Sequence, residues 1–261
     1  MPLDAALAGA LHIEYVHGQD VMVAGHPHHV LFQTSTIDAL LDGRYDGDVT
    51  FAELGQRGDL GLGTVDALDG EMILLDGRFY QVRSDGRAYE IDSRTKTPFA
   101  VVTFFEPGLI QSLPGPMDLT ALYSHLDALA PDTATLYAVR VDASFEHVRT
   151  RSVPRQRKPY PPLAEVVQNQ PTFDLDKVQG SLVGFRFPVQ TQGLNVAGYH
   201  FHFITDDRSA GGHVLGCRIS GGEVRIDHET DLGIELPAGV DLPTPGAPGW
   251  EDEIYRIERE R

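Results

Sequence analysis

The stretch LGTVDALDGEMILLDGRFYQVRSDGRAYEI constrains this chain more than any other part of it. Three Asp-Gly pairs, Asp69-Gly70, Asp76-Gly77 and Asp85-Gly86, punctuate its apolar runs. Both residues tolerate positive φ, so Asp-Gly between apolar runs signals a tight hairpin. The spacing predicts an antiparallel meander, followed by a strand at PFAVVTFFE. Upstream, LFQT reads as a strand. Ser35 with Asp38 reads as a capping box and Gly43 as the stop of a short helix. Thr50 and Glu53 repeat the capping signal ahead of FAELGQ.

Downstream, Leu119, Leu122, Leu126 and Leu129 recur at helical spacing in MDLTALYSHLDALA. TLYAVRVDASFEHVRTRSV reads as strand. YPPLAEVVQNQ reads as a helix with prolines at its entrance. SLVGFRFP, AGYHFHFIT, HVLGCRIS, EVRIDHE and GIELP read as further strands. FAELGQRGDLGLGTVDALDGEMILLDGRF and PLAEVVQNQPTFDLDKVQGSLVGFRF share an order: short helix, acidic-apolar strand, Gly turn, apolar strand. This echo suggests a duplicated helix-plus-antiparallel-sheet unit, although any two such segments look alike at this level. The fold class expected is α+β, mainly antiparallel or mixed sheet with a few short helices. Two halves are expected, residues 1–135 and 136–261, which can also behave as one compact unit.

At 261 residues and 41% hydrophobic, the chain is long and apolar enough to bury a sizeable core. A net charge of −17 opposes binding to nucleic acid and to anionic membranes. The single cysteine, Cys217, excludes an intrachain disulfide. The N-terminus, MPLDAALAGALHIEYVHG, lacks the basic region of a secretory signal and is too short and interrupted to span a membrane. A cytoplasmic protein is expected.

The chemistry concentrates in GYHFHFITDDRSAGGHVLG. Alternation puts His200, His202 and Ile204 on one face of a strand and Tyr199, Phe201 and Phe203 on the other. The aromatic face is the natural core face, so the imidazoles point together at whatever lies opposite. DDRSAGG reads as a turn, and His213 begins the next strand. Adjacent strands lie about 4.8 Å apart, close enough for His213 to complete a three-imidazole cluster. Three protein ligands and an open position make a catalytic zinc site, whereas structural zinc favours thiolates. The alternative is three ordinary histidines in a sheet. Cys217 shares the His213 face by alternation and reads as a small buried thiol.

As a whole the sequence resembles the α-acetolactate decarboxylase family. The resemblance rests on FQTSTIDALLDGRYDGD, LGLGTVDALDGEMILLDGRFYQV, TRSVPRQRKPYPPLAEV, GSLVGF and LNVAGYHFHFITDDRSAGGHVL, in that order. It covers nearly the whole chain, and His-x-His-x10-His is its most specific element. It implies decarboxylation of 2-acetolactate to acetoin and CO2, with one Zn²⁺ per chain held by His200, His202 and His213. The metal would chelate the ketone and hydroxyl oxygens and stabilise an enediolate that is then protonated. The resemblance also implies a homodimer. Glu71, Arg151 and Glu258 map onto the family's active-site residues, with Glu260 as the alternative to Glu258. Thr64 maps onto a residue close to the site.

Elementary chemistry assigns these residues roles. Decarboxylation leaves negative charge on the carbon between ketone and carboxylate. A guanidinium such as Arg151 can hold the carboxylate bidentately, and a carboxyl such as Glu71 or Glu258 can return a proton. Without the resemblance each residue has a plainer reading. Arg151 would belong to a solvated basic patch, Glu71 to a strand edge and Glu258 to a frayed tail. A zinc-dependent hydrolase or hydratase, which needs no anion-binding arginine, is the competing function. A binding protein that has lost the chemistry is a third.

Overall fold

The computed structural model describes residues 29–242 together with the strand His12–His17. The strands are β1 (His12–His17), β2 (Val30–Thr34), β3 (Val49–Thr50), β4 (Leu60–Thr64), β5 (Glu71–Leu75), β6 (Arg78–Val82), β7 (Ala88–Glu90) and β8 (Lys96–Thr97). They continue with β9 (Ala100–Thr103), β10 (Leu109–Leu113), β11 (Met117–Asp118), β12 (Leu136–Arg151), β13 (Thr172–Phe187), β14 (Gly198–Thr205), β15 (Gly211–Glu229) and β16 (Asp231–Leu236). The α-helices among the described residues are α1 (Ile37–Leu41), α2 (Phe51–Leu54), α3 (Leu119–Leu129) and α4 (Leu163–Val166). None is long and apolar enough to cross a membrane. The architecture is the α+β, mainly antiparallel one that the sequence predicts.

The first sheet runs β1-β16-β2-β9-β4-β5-β6-β7 and is mixed, because β16 pairs parallel to both β1 and β2. Its β4-to-β7 run is the predicted meander. Asp76 and Gly77, at φ +53° and +73°, make the tight turn between β5 and β6. Alternation along β5 sends Glu71 and Ile73 to one face and Met72 and Leu74 to the other. Ile73 enters a central core shared with Val183, Phe185 and Ile204 of the second sheet. Met72 and Leu74 enter an outer core with Phe51 and Leu54 of α2. Glu71 therefore faces the second sheet.

The second sheet runs β10-β15-β12-β13-β14, and the start of β15 also pairs with β14. The strands β12, β13, β14 and β15 thus close on themselves. On its outer face α3 buries Leu122 and Leu126 against Phe201, Phe203 and Ile219. Full burial of one such leucine contributes on the order of 2 kcal/mol. The aromatic face of β14 packs under α3, which leaves its histidine face toward β5.

Three local expectations change. The cap of α1 is Thr36, whose hydroxyl accepts from Ala39 N at 3.2 Å. Ser35 instead turns the chain out of β2 at φ +64°. The Thr50–Glu53 capping box forms as expected. Thr172–Phe187 is one continuous strand, so the expected turn at Gly180 does not form and the echo does not extend to a shared hairpin. A Cβ on Gly180 would come within 2.6 Å of the Phe203 ring, so this glycine serves close strand approach. Cys217 packs with Val214 under α3 and does not share the His213 face. A register shift opposite Arg149 and Thr150 inserts an extra residue, Leu215, and inverts the alternation there. The thiol is buried, and burial pushes it up to about 12.

Asp227 and Glu229, on β15, are fully buried opposite Ala138 and Leu136 of the central core. Asp227 accepts from Glu106 N at 2.6 Å and lies 2.8 Å from His29 Nδ1. Burial pushes Glu229 from 4.5 up to about 8, and the Asp227 charge adds to the shift. A carboxyl raised on folding binds its proton more tightly when folded. Its stabilising contribution is complete below the unfolded value and is lost as pH rises through the folded one. Wild-type stability in urea should therefore fall between about pH 5 and about pH 9, and Glu229→Gln should flatten that fall. Equal slopes in the two proteins would mean that Glu229 does not titrate with folding.

Candidate metal centre and active site

His200 and His202 stand on the inward face of β14, as alternation requires, and His213 stands third in β15. His202 pairs directly with His213 across the two strands. The ring centroids are 4.8 Å apart for His200–His213, 5.1 Å for His200–His202 and 5.4 Å for His202–His213. One ligand nitrogen from each lies within 4.8 Å of the others. His200 Nε2 and His213 Nδ1 approach to 3.0 Å. His202 and His213 are buried, and His200 is 9% exposed.

These residues fit a metal ion. His202 Nδ1 lies 2.9 Å from the Met72 carbonyl, which can only accept, so this nitrogen carries the proton. The lone pair is then on Nε2, which is buried and makes no hydrogen bond. That nitrogen faces Glu71 Oε2 at 3.5 Å. Two acceptors face to face call for a proton or a cation between them. Burial opposes protonation of the imidazole. It pushes His200 down to about 3, and the Arg151 charge adds to the shift. Burial likewise holds His202 well below its ordinary value, with His200 and Arg151 contributing, against the opposing Met72 hydrogen bond. Neutral imidazoles are the form that ligates metals. Three nitrogen ligands and no thiolate suit zinc or a neighbouring divalent ion.

Arg151 ends β12 opposite His213 of β15. It is 4% exposed, and its Nη1 lies 3.3 Å from Glu71 Oε1. Glu71 therefore sits between the guanidinium and the imidazoles. Thr64 pairs with Glu71 across β4 and β5, and its hydroxyl donates to the Gly70 carbonyl at 2.7 Å. All six residues line one cleft. Its remaining wall includes Ile37, Leu40, Leu68, Phe99, Val153 and Leu163. Six of the seven predicted site residues are thus brought together. Glu258, with its alternative Glu260, lies outside the described residues.

Residues 31–242 match the family model described as alpha-acetolactate decarboxylase. The chain belongs to the alpha-acetolactate decarboxylase family. The alpha-acetolactate decarboxylase of Methylococcus capsulatus is 49% identical over 235 residues, covering 90% of each chain. That of Klebsiella aerogenes is 45% identical over 215 residues, covering 82% of this chain and 83% of the other. The crystal structure of alpha-acetolactate decarboxylase from Bacillus subtilis strain 168 matches at a TM-score of 0.84. Its identity is 37%, over 88% of this chain and 99% of that one.

Sequence reasoning misses two parts of this family member's site. One is the Met72 carbonyl, a backbone group with no side-chain signature, although Met72 directly follows Glu71. The other is the apolar wall, whose residues look like ordinary core. Met72 fixes a tautomer and not a charge, so the metal test belongs on the ring itself. His202→Ala should reduce metal from about one ion per chain to near zero in elemental analysis of purified protein. Undiminished metal in that variant would mean that His202 is not a ligand.

Proposed function

We propose that this protein is a zinc-dependent acetolactate decarboxylase that converts 2-acetolactate to acetoin and CO2. The observation that carries the reading is the convergence of three imidazoles and the Glu71–Arg151 pair on one cleft. Family membership supports the choice of substrate. We further infer that the working enzyme is a cytoplasmic homodimer with one zinc per chain, which light scattering and elemental analysis test.

2-Acetolactate is an anion, and the protein carries a net charge of −17. Binding needs a local cation, and Arg151 supplies one. Its guanidinium is planar and can meet a carboxylate through two parallel hydrogen bonds. At 4% exposure it acts in a medium of low dielectric, where the attraction is stronger than in water. As the bond between C2 and the carboxylate breaks, the electron pair stays on C2 and spreads onto the ketone oxygen. The departing CO2 is neutral and loses its hold on Arg151. A zinc ion in the three-imidazole cluster would act as a Lewis acid toward the ketone and hydroxyl oxygens, favouring the charge that develops as CO2 leaves.

The carbon must then gain a proton. Glu71 is held on one side of the cleft by its contact to Arg151. A proton delivered from there reaches one face of C2, which would set the chirality of acetoin. Glu258 is the second proposed acid.

The direct test is incubation with racemic acetolactate while acetoin and CO2 are followed; absence of both sinks the reading. Arg151→Lys keeps the charge without the planar fork, and should lower kcat/KM by about 100-fold or more. Near-wild-type activity there would place Arg151 outside the site. Glu258→Gln should slow turnover by roughly 10²–10⁴ with metal content unchanged, whereas Glu260→Gln should do little. Normal turnover in Glu258→Gln would leave the proton chemistry to Glu71 alone.

A further inference from the structure

Ala67 and Leu68 both have left-handed backbone, at φ +61° and +54°. Consecutive non-glycine residues rarely do so, because Cβ crowds the following carbonyl. Neighbouring backbone holds them there. Ala67 N donates to the Tyr45 carbonyl at 2.7 Å, and Gln156 N donates to the Ala67 carbonyl at 2.8 Å. Glycine would occupy position 68 without strain, so the leucine is explained by where its side chain goes. That side chain is 2% exposed and lines the cleft.

Leu68 lies on the segment that joins Thr64 to Glu71. Val153 follows Arg151 by two residues and lines the same cleft. The two segments are tied together. Gln156 N bonds the Ala67 carbonyl, and Ser152 Oγ donates to the Val82 carbonyl at 2.7 Å, on the strand beside Glu71. The segments that carry the guanidinium and these two apolar side chains are therefore held against one another. A 2-hydroxy-3-oxo acid anchored to Arg151 by its carboxylate carries its C2 alkyl group two bonds from the carboxylate carbon. Ile37 and Leu40 of α1 and Leu163 of α4 come from elements not tied to Arg151 by these bonds.

We propose that Leu68, backed by Val153, is the specificity-determining residue for the alkyl group on C2 of the substrate. This rests on the substrate reading given above. In that role the leucine sets the upper size limit at C2, where acetolactate carries a methyl group.

The test compares kcat/KM for acetolactate and for its homologue with ethyl at C2, in wild type, Leu68→Ala, Leu68→Val and Ile37→Ala. The ratio of the two values does not depend on the fraction of protein that is folded or metal-loaded. Leu68→Ala should raise the ethyl-to-methyl ratio by about ten-fold or more, and Leu68→Val by less. Ile37→Ala should leave it within about two-fold. Should Leu68→Ala be too unstable to purify, Leu68→Val decides. An unchanged ratio in the Leu68 variants, or an equal rise in Ile37→Ala, overturns the assignment. A wild type that decarboxylates neither compound overturns the substrate reading instead.

Discussion

His213 is paired on both sides. His202 lies opposite it on β14, and Arg151 lies opposite it on β12. Directly opposed residues in antiparallel strands sit roughly 4.5–5.5 Å apart. Two imidazoles and a guanidinium are therefore placed by backbone hydrogen bonding before any side-chain torsion is chosen. The closure that brings β15 against both neighbours is what makes this possible. In an open sheet His202 and Arg151 would be related only through β13, where they pair with Val183 and Thr172, far apart along that strand.

Burial then decides the charge state. Two costs compete at the cluster: protonating a buried imidazole, and leaving its lone pair without a partner. Desolvation and the nearby Arg151 charge both act against protonation of His200 and His202, so these two imidazoles stay neutral and available as ligands. Glu71 supplies the negative charge that makes a buried arginine tolerable. Its two oxygens face different partners, Arg151 and His202, so one side chain links the guanidinium to the three-imidazole cluster. The chain as a whole is acidic, yet Arg151 places a buried guanidinium in the wall of this cleft.

Glu71 reaches that position because two sheets pack face to face. It begins β5 after the left-handed turn at Ala67 and Leu68, and the Gln81 side chain donates to the Asp69 carbonyl within the same turn. Local strain and its compensation thus sit beside the chemistry, where a strained backbone is most often retained. The shift at Leu215 has a related effect. It lets His213 face the cleft while Val214 and Cys217 both pack under α3.

The sequence by itself determined the elements whose rules are local. Period-two alternation separated His200 and His202 from Tyr199, Phe201 and Phe203, and the Asp-Gly pairs marked the meander. The Thr50–Glu53 box and the leucine spacing of α3 were equally legible. Only the tertiary structure decided what the imidazoles face, which is Glu71 and the Met72 carbonyl from a strand some 130 residues earlier. It also divided the basic run RTRSVPRQRK. The Arg151 side chain is 5% exposed, whereas those of Arg155 and Lys158 are 56% and 65% exposed, in surface pairs with Asp66 and Asp46. Charge and spacing are alike along that run, so sequence could not separate them. Burial depends on which distant strand lies opposite, and a one-residue shift in pairing inverts every later face. Pairing register is a property of two segments together, and neither segment carries it alone.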